Sequence, residues 1–356
     1  MLDRLIAQLT ASNHLAEADV RIAVEELVDE RVPTEKKADF LCHLALKGET
    51  VEEIAFFAMA LREKSVRPPL DDFWRATHEI LDVCGTGGDR LNTFNISTTV
   101  ALMCAAAGVP VAKHGNRAIT SQAGSADVLE AMGIRIDLPP ADAAASLRER
   151  NFAFFFAPDY HPAFKFIGPA RKLCAERGQR TIFNFLGPLL NPARPSAQLV
   201  GVSRPDLCEP LGRVLQLLGV RRGMVVSGKV PAAGPDVPTE YRHLDELSTL
   251  AENTVAEFYQ DKGFATSLLA PNHFPIQKAS LQDLLGGSRE TNAAIVRDLL
   301  GGKERGPKRD AVLLNASAAL FLASRAGSLN AGWDLAAAIL DSGEALKKLH
   351  ELSGNK

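Results

Sequence analysis

The sequence has few cysteines and no long run of apolar residues. Its five cysteines in 356 residues are widely spread and form no CxxC pair. The chain begins without a secretory apolar segment, so we expect reduced thiols and a cytoplasmic location. No apolar run reaches the roughly 20 residues that span a bilayer, and 100–107 is too short. We therefore expect a soluble protein with no membrane partner.

A large charge of one sign is also lacking. The formal net charge is −3, so no global positive field would draw nucleic acid or an anionic membrane to the protein. A nucleic-acid-binding function is disfavoured for the same reason, since it usually requires a basic surface. Any basic residues that matter must act locally.

Several catalytic motifs are absent as well. The sequence contains no GxxxxGK[ST] loop, no GxGxxG fingerprint, no HExxH and no GxSxG, and its Cys and His residues do not cluster. These absences disfavour a Walker-type nucleotide site, a dinucleotide fold, a zinc hydrolase, a serine hydrolase and a structural metal site.

The patterning that is present predicts two domains. Up to about Ser65, apolar residues recur every three or four positions, which predicts a small all-helical domain. A proline-containing linker follows at 67–74, and short apolar runs then alternate with helical segments. We predict an α/β fold: a helical domain over 1–75, joined by helices around 165–190, and a large α/β domain over 76–356. Its central sheet should be mostly parallel and covered by helices.

Six short apolar runs are predicted strands: ILDVCG, VPVAK, IRIDL, FAFFFAP, AQLVGVS and GMVVSG. In such a sheet, ligands bind beyond the carboxyl ends of the strands. The segments GTGGD and KHGNR fall at two of these ends.

The stretch from Asp82 to Gly133 contains two loops rich in glycine and small polar residues, and each opens a helix. The first contains GTGGD and leads to NIST, where free N–H groups and capping side chains should face one loop. The second, KHGNRAITSQAGS, adds Lys113 and Arg117. Either feature alone could be a tight turn, a simple cap or a solvated basic loop. Together they predict a polyphosphate cradle.

Three further features lie outside the cradle. Asp245 and Glu246 are adjacent carboxylates, which are often only solvated surface but could hold Mg²⁺ together with substrate phosphates. Tyr160 and His161 follow a predicted strand. A single histidine in such a place is more often a hydrogen-bonded loop residue than a catalyst. Arg171, taken alone, is typical of a charged surface residue.

The order of several segments resembles the anthranilate phosphoribosyltransferases of tryptophan biosynthesis. These segments are GTGGD, NTFNIST, KHGNRAITSQAGSADVLEAMG, APDYHPAFK, RTIFNFLGPLLNPARP, LDELS and RDAVLLNASAAL. The resemblance covers nearly the whole chain. It implies a homodimer associated through the helical domains, and transfer of a phosphoribosyl group from 5-phosphoribosyl 1-diphosphate to anthranilate.

The resemblance also implies the site residues. Anthranilate would meet Gly85, Asn116 and Arg171, and Mg²⁺, with two ions per subunit, would be held by Ser97, Asp245 and Glu246. The phosphoribosyl donor would contact Gly85, Gly88, Asp89, Thr93, Asn95, Ile96, Ser97, Thr98, Lys113, His114, Gly115, Asn116, Arg117, Ala118, Ile119, Thr120, Ser121 and Ser125. No catalytic residue is assigned: electrostatic stabilisation and positioning would supply the catalysis, and the amine could lose its proton to water or to the product diphosphate.

The sequence departs from the family pattern in two places. KLCAERGQ after Arg171 is longer than usual, so Arg177 is an alternative for the anthranilate site. The segment 229–243 replaces a short turn before the acidic pair, and Ala118 and Thr120 stand where serines are common. Two other functions remain open: a pyrimidine nucleoside phosphorylase, and a non-catalytic or nucleic-acid-binding relative.

Overall fold

The computed structural model describes residues 1–118, 122–231, 242–260 and 262–354. The N-terminal part is helical, as predicted. Its helices are α1 (Leu2–Thr10), α2 (Glu17–Val28), α3 (Thr34–Lys47) and α4 (Val51–Glu63), followed by the short α5 (Asp72–Thr77). The start of α4 is fixed by a capping box, in which Thr50 and Glu53 satisfy each other's backbone N–H groups.

The remainder alternates strands and helices before ending in a helical block. The strands are β1 (Leu81–Gly85), β2 (Val111–Gly115), β3 (Phe152–Phe156), β4 (Ala197–Gly201), β5 (Arg222–Val230), β6 (Arg242–Leu244), β7 (Asn253–Tyr259) and β8 (Gly263–Leu269). The helices are α6 (Ile96–Ala106), α7 (Ser125–Ala131), α8 (Pro140–Arg150), α9 (Ala157–Tyr160), α10 (Gly168–Glu176), α11 (Cys208–Leu217), α12 (Arg289–Leu300), α13 (Pro307–Leu322), α14 (Leu329–Asp341) and α15 (Glu344–Ser353).

The strands form one sheet of order β3-β2-β1-β4-β5-β7-β8, with β6 paired to β5. The pairs from β3 to β5 are parallel, whereas β5–β6, β5–β7 and β7–β8 are antiparallel. The predicted mostly parallel sheet is therefore confirmed. One predicted strand is wrong: IRIDL (134–138) forms no strand but leads into α8, while Ile134 and Ile136 are buried in the core. Its alternating pattern reflects burial beside the sheet rather than pairing.

The two faces of the sheet are covered differently. One is covered by α6, α7 and α12–α15, and this layer encloses a large apolar core. Against the other, the N-terminal helices, α10 and α11 enclose a second continuous core that includes strand residues of β4, β5 and β7. Within the described ranges, no helix combines the length and apolar character needed to cross a membrane.

Candidate active site

An acidic turn lies across the carboxyl ends of three strands. Asp245 and Glu246 follow β6, and their backbone passes so close to Gly85 and Gly201 that a Cβ at either position would overlap Asp245. At Gly228 in β5, a Cβ would overlap the Glu246 carbonyl oxygen. Gly85 and Gly201 are also paired neighbours in β1 and β4. The three glycines therefore let the two carboxylates sit directly on the edge of the sheet.

The turn is held from its downstream side. The Leu247 N–H donates to Asn315 Oδ1 at 2.9 Å, and Asn315 Nδ2 donates to the Leu247 carbonyl at 2.9 Å. Asn253 binds Ser248 in the same two-sided way, at 2.6 and 3.0 Å. These hydrogen bonds fix the two residues that follow the acidic pair, whereas residues 232–241 of the unusual segment upstream lie outside the described residues.

The carboxylates of the turn are half-buried and lie among like charges. Burial, with the charges of Asp89 and Glu246, raises the pKa of Asp245 well above its ordinary value, although the Gly87 N–H donates to Asp245 Oδ2 at 2.6 Å. Burial raises the pKa of Glu246 to about 7, partly offset by the charge of Lys113. Holding carboxylates together in this way costs stability, and a bound cation would reverse the cost.

The acidic turn contacts the start of α6. The Ser97 N–H donates to Glu246 Oε1 at 3.2 Å. Lys113, only 1% exposed, reaches across from β2 and donates to the Ser97 hydroxyl at 3.3 Å and to the Val83 carbonyl at 2.7 Å. A carboxylate, a hydroxyl, an ammonium and a helix start therefore converge at one point.

The expected capping by Asn95–Thr98 is not observed. Asn95 makes no side-chain cap, and its Nδ2 donates instead to the Ala123 carbonyl at 3.4 Å. Among the described residues, Asn95 Oδ1 and Thr98 Oγ1 are buried without a hydrogen-bond partner. Ile96 is 1% exposed, and its side chain is part of the core. The polar side chains that were predicted to cap the helix therefore do not cap it.

The loop between β1 and α6 is shaped by positive φ angles. Gly87 and Gly88 have φ of 74° and 81°, as predicted for a loop that brings backbone close to a ligand. Asp89 Oδ1 accepts the Leu91 N–H at 3.0 Å, and Thr93 forms an isolated bridge with Leu285.

The loop after β2 is held by an acid that sequence reasoning missed. Asp127 Oδ2 accepts the N–H groups of Ala118 and Gly124, both at 2.9 Å. Arg117 forms ion pairs with Asp127 at 3.1 Å and with Glu130 at 2.9 Å. The charge of Arg117, predicted to face the phosphates, is thus matched locally by two carboxylates.

The end of β2 lies against the start of α7. A Cβ at Gly115 would overlap Ser125 Oγ, so the end of β2 and the start of α7 approach closely. Ser125 Oγ lies 3.5 Å from the Asn116 carbonyl oxygen, and Asn116 Oδ1 accepts the Arg117 N–H at 2.7 Å. The predicted donor contacts Ile119, Thr120 and Ser121 lie outside the described residues.

His114 and His161 form a buried aromatic pair. Their ring centroids are 5.2 Å apart, and His161 also contacts Phe164. Burial and the nearby His161 lower the pKa of His114 to about 3, and burial lowers that of His161 to about 4. Because side chains alternate along a strand, His114 and Lys113 point to opposite faces of β2, so only the backbone of His114 shares the side of Lys113.

Arg171 and Arg177 have different surroundings. Arg171 on α10 lies over the Phe183 ring at 5.4 Å, with Nη2 3.5 Å from the Phe183 carbonyl oxygen, and burial lowers its pKa. Arg177 instead pairs with Asp39 on α3 at 2.7 Å. Arg171 therefore has a weakly engaged guanidinium, whereas Arg177 is engaged with the helical region.

Three other residues that build the site were missed. Gly201 lies within the predicted strand AQLVGVS, and a glycine inside a strand pattern, which can mark a close approach of another backbone, was the available signal. Asn315 lies within the apolar helix α13, where a buried amide signals a partner. Asp127 is the third residue of α7, where an acid closes a capping box.

Comparisons with known proteins place this arrangement in a class. The chain matches the glycosyl transferase family a/b domain over residues 77–346 and the helical bundle domain of that family over residues 3–65. The chain therefore contains both domains of this glycosyl transferase family.

The relatives narrow the class. Anthranilate phosphoribosyltransferase of Petrotoga mobilis is 42% identical over 352 residues, covering 99% of this chain and 96% of that protein. A crystal structure of the Thermus thermophilus enzyme of this name is 38% identical with a TM-score of 0.85, covering 98% of both chains. That of Saccharomyces cerevisiae in complex with PRPP and Mg is 25% identical with a TM-score of 0.84, covering 99% of this chain and 97% of that chain. The chain belongs to the anthranilate phosphoribosyltransferase family, and it is a transferase of tryptophan biosynthesis.

Proposed function

We propose that the site at the carboxyl ends of β1, β2 and β4 transfers the 5-phosphoribosyl group of 5-phosphoribosyl 1-diphosphate to the amine of anthranilate. The products are N-(5-phosphoribosyl)anthranilate and diphosphate. The observation that carries this proposal is the half-buried pair Asp245–Glu246, which contacts the start of α6 and faces Lys113 through Ser97. Acidic ligands for a cation and donors for phosphate oxygens thereby lie side by side.

Mg²⁺ would be held by Ser97, Asp245 and Glu246. The hard oxygen donors fit this ion, and the raised pKa values of both carboxyl groups support a site that a cation would stabilise. Among the described residues, no three Asp, Glu, His or Cys side chains form a metal site by themselves, so substrate phosphates would complete the coordination. Asp89 beside Asp245 supports two ions per subunit. When bound, Mg²⁺ supplies neutralisation of the charge that develops on the departing diphosphate.

The donor would be bound largely by backbone and by neutral polar groups. The positive φ angles at Gly87 and Gly88 shape the loop that contains Asp89, and Thr98 Oγ1 at the start of α6 is a hydroxyl without a hydrogen-bond partner among the described residues. Lys113 would act through Ser97 at the helix start rather than as an exposed charge. In this arrangement the protein stabilises the leaving diphosphate with groups already in place, so little reorganisation is needed as the C1–O bond breaks.

Anthranilate would be held by Gly85, Asn116 and Arg171. The Arg171 guanidinium makes a single long hydrogen bond within the described residues, so its planar fork can pair with a carboxylate. Its partial burial would strengthen that pairing. Holding the amine in line with the ribose carbon would supply much of the rate enhancement. The buried histidine pair is neutral and does not act as the base in this proposal.

We also propose a cytoplasmic homodimer, formed through a helical domain over 1–75. Residues around 165–190 would join this domain, because α10 packs against α3 and Cys174 and Ile182 belong to the same core. Light scattering of the purified protein would test the assembly: a mass of one chain at working concentrations would contradict it.

The direct test follows the fluorescence of anthranilate with and without 5-phosphoribosyl 1-diphosphate and Mg²⁺. We expect the signal to fall only when both are present. Phosphate-dependent release of a base from a pyrimidine nucleoside, with no loss of anthranilate, would instead establish a nucleoside phosphorylase. Retention of duplex DNA at physiological salt with neither turnover would favour a non-catalytic relative.

A further inference from the structure

A second charged cleft lies at the opposite ends of the strands. It has a volume of about 330 Å³ and is formed where the end of α4, helix α5, the chain before β4 and the turn between α11 and β5 meet. Its lining residues are Arg62, Asp72, Arg75, Ala76, Arg194, Pro195, Ser196, Leu218, Gly219 and Arg221. Four guanidinium groups therefore share a small cleft with one lining carboxylate.

Backbone carbonyls hold two of these arginines in place. Arg75 donates to the carbonyl oxygens of Ala193 and Arg194, at 2.6 and 2.9 Å. Arg62 donates through Nε to the Leu189 carbonyl at 2.5 Å and is only 6% exposed. The guanidinium positions are fixed by the fold, which is a requirement of a pre-organised site.

The positive charges of the cleft are incompletely matched. Arg62 Nη2 and Arg221 Nε are buried without a hydrogen-bond partner in the part of the chain that the structure describes. Glu79 pairs with Arg221 at 3.0 Å, and Glu63, Asp72 and Asp82 provide further negative charge nearby.

Burial and mutual repulsion dominate over these acids. Burial and the charge of Arg194 lower the pKa of Arg62 to about 10. Burial and the same neighbour lower the pKa of Arg75, and burial and Arg67 lower that of Arg194. A bound anion would remove the repulsion and satisfy the unpaired N–H groups.

We propose that this cleft is a binding site for a small phosphate-bearing anion, separate from the site of phosphoribosyl transfer. Ser196 precedes β4, whereas the acidic turn crosses Gly201 at the other end of that strand. Five residues of strand separate the two positions by roughly 16 Å. One small ligand cannot occupy both places.

The chemistry of the lining favours phosphate. Guanidinium groups bind phosphate oxygens through paired, charge-assisted hydrogen bonds, and several arginines together select for more than one negative charge. The volume lies at the lower end of the range for small-molecule pockets, which favours a small metabolite over a macromolecule. Because the lining comes from both the N-terminal helices and the α/β part, the anion would bridge them.

Arginine footprinting tests the proposal in the intact protein. Phenylglyoxal modification of Arg221, read by peptide mass spectrometry, would be followed against inorganic phosphate at constant ionic strength. We expect phosphate to slow modification of Arg221 in a saturable way. Because the readout is local to the cleft, phosphate at the transfer site would not produce it. Ribose 5-phosphate in place of phosphate would distinguish an organic phosphate from the free ion by its half-saturating concentration.

Arg194→Gln should raise the half-saturating phosphate concentration at Arg221 about tenfold or more. Arg194 is exposed at the rim, so this change should leave the fold intact. The matched control is Arg148→Gln on α8, also exposed, which should change nothing. The proposal is overturned if chloride protects Arg221 as well as phosphate does, or if Arg194→Gln has no effect. It is also overturned if Arg221 is unreactive without phosphate, because the cleft would then be covered by protein.

Discussion

The two ends of the parallel strands carry buried charge of opposite sign. At the carboxyl ends, Asp245 and Glu246 have raised pKa values, whereas at the amino ends the pKa values of Arg62 and Arg75 are lowered. In both places burial is the largest cause. The fold therefore keeps like charges together at each end at a cost in stability.

The two clusters differ in how they are built. The acidic turn packs directly against glycines of β1, β4 and β5, so close backbone contacts fix its position. The arginine cleft is assembled by long side chains whose hydrogen bonds end on carbonyls of the 189–194 segment. A site built by close backbone contacts is rigid, as catalysis requires, whereas a site built by long side chains is sufficient for binding.

The largest effect is expected from Gly201→Ala. The added Cβ would overlap the Asp245 carbonyl oxygen, and because both groups belong to fixed backbone, the acidic turn must shift. A displacement of this size can cost about 100-fold in rate, with about 1–3 kcal/mol of destabilisation from overpacking. Steady-state kinetics and urea unfolding measure both. Gly327→Ala is the control, since a Cβ there meets nothing within 4 Å. Normal activity in Gly201→Ala would show that the turn can move without loss.

Glu246→Gln should separate function from stability. The amide can still accept the Ser97 N–H, but the buried charge is lost, and we expect Mg²⁺-dependent turnover to need about ten- to 100-fold more metal. Since the pKa of Glu246 is raised to about 7 in the folded protein, its charge is destabilising above that pH.

Without Mg²⁺, the variant should therefore be more stable than the native protein by about 1–3 kcal/mol near pH 8. The gain should vanish as the pH falls below the ordinary pKa of glutamate, where the carboxyl of the native protein is neutral in both the folded and the unfolded state. An unchanged Mg²⁺ titration would remove Glu246 from the metal site. A loss of stability would show that Lys113 compensates its charge fully.

The sequence predicted most of the carboxyl-end site but not the arginine cleft. The glycine loops, the acidic pair and the mostly parallel sheet follow from local pattern and from the order of motifs, and the fold and family are confirmed. The convergence of Gly201, Gly228 and Asp245 is not local. It depends on strand order, which places β4 and β5 next to β1 although they are distant in the chain.

The arginine cleft was missed for the same reason. Arg62, Arg75, Arg194 and Arg221 are scattered over about half of the chain, and each alone is typical of a surface charge. Arg117 shows the opposite error, because its loop predicted a phosphate contact and the fold supplied Asp127 and Glu130. Charge counts within a segment cannot include partners from another segment.

Arg171→Ala tests whether the Arg171 guanidinium binds the carboxylate of anthranilate. We expect the KM for anthranilate to rise about tenfold, as for the loss of one charge-assisted hydrogen-bonded pair, with little change in the KM for the phosphoribosyl donor. Arg177→Ala is the comparison, because Arg177 already pairs with Asp39 and should leave both constants nearly unchanged. Equal effects of Arg171→Ala on both substrates would refute its assignment.

A smaller effect is expected from the neutral histidine pair beneath β2. The pKa of His161 is lowered to about 4 in the folded protein, so the unfolded chain binds the extra proton between that value and its own pKa near 6.5. Stability contributed by His161 is thus lost as the pH falls through this window.

Relative to the native protein, His161→Phe should gain about 1 kcal/mol in free energy of unfolding between about pH 8 and pH 5.5. Phe is suitable because His161 packs against Phe164 and His114. Urea midpoints at the two pH values measure the change, and the exposed His273→Gln is the control. Parallel pH profiles of His161→Phe and the native protein would mean that His161 is not kept neutral by burial.

The smallest effect is expected at the arginine end, from Arg194→Gln in the absence of phosphate. Removing one charge relieves repulsion on Arg62 and Arg75, so the free energy of unfolding should rise, in contrast to the usual loss on mutation. Arg194 is exposed and its repulsion is screened, so the gain should be about 0.5 kcal/mol or less. It should shrink when salt is raised, whereas the gain of Glu246→Gln should shrink less, because the half-buried Glu246 is screened less than the exposed Arg194. Equal salt dependence of the two variants would show that the two ends differ only in sign.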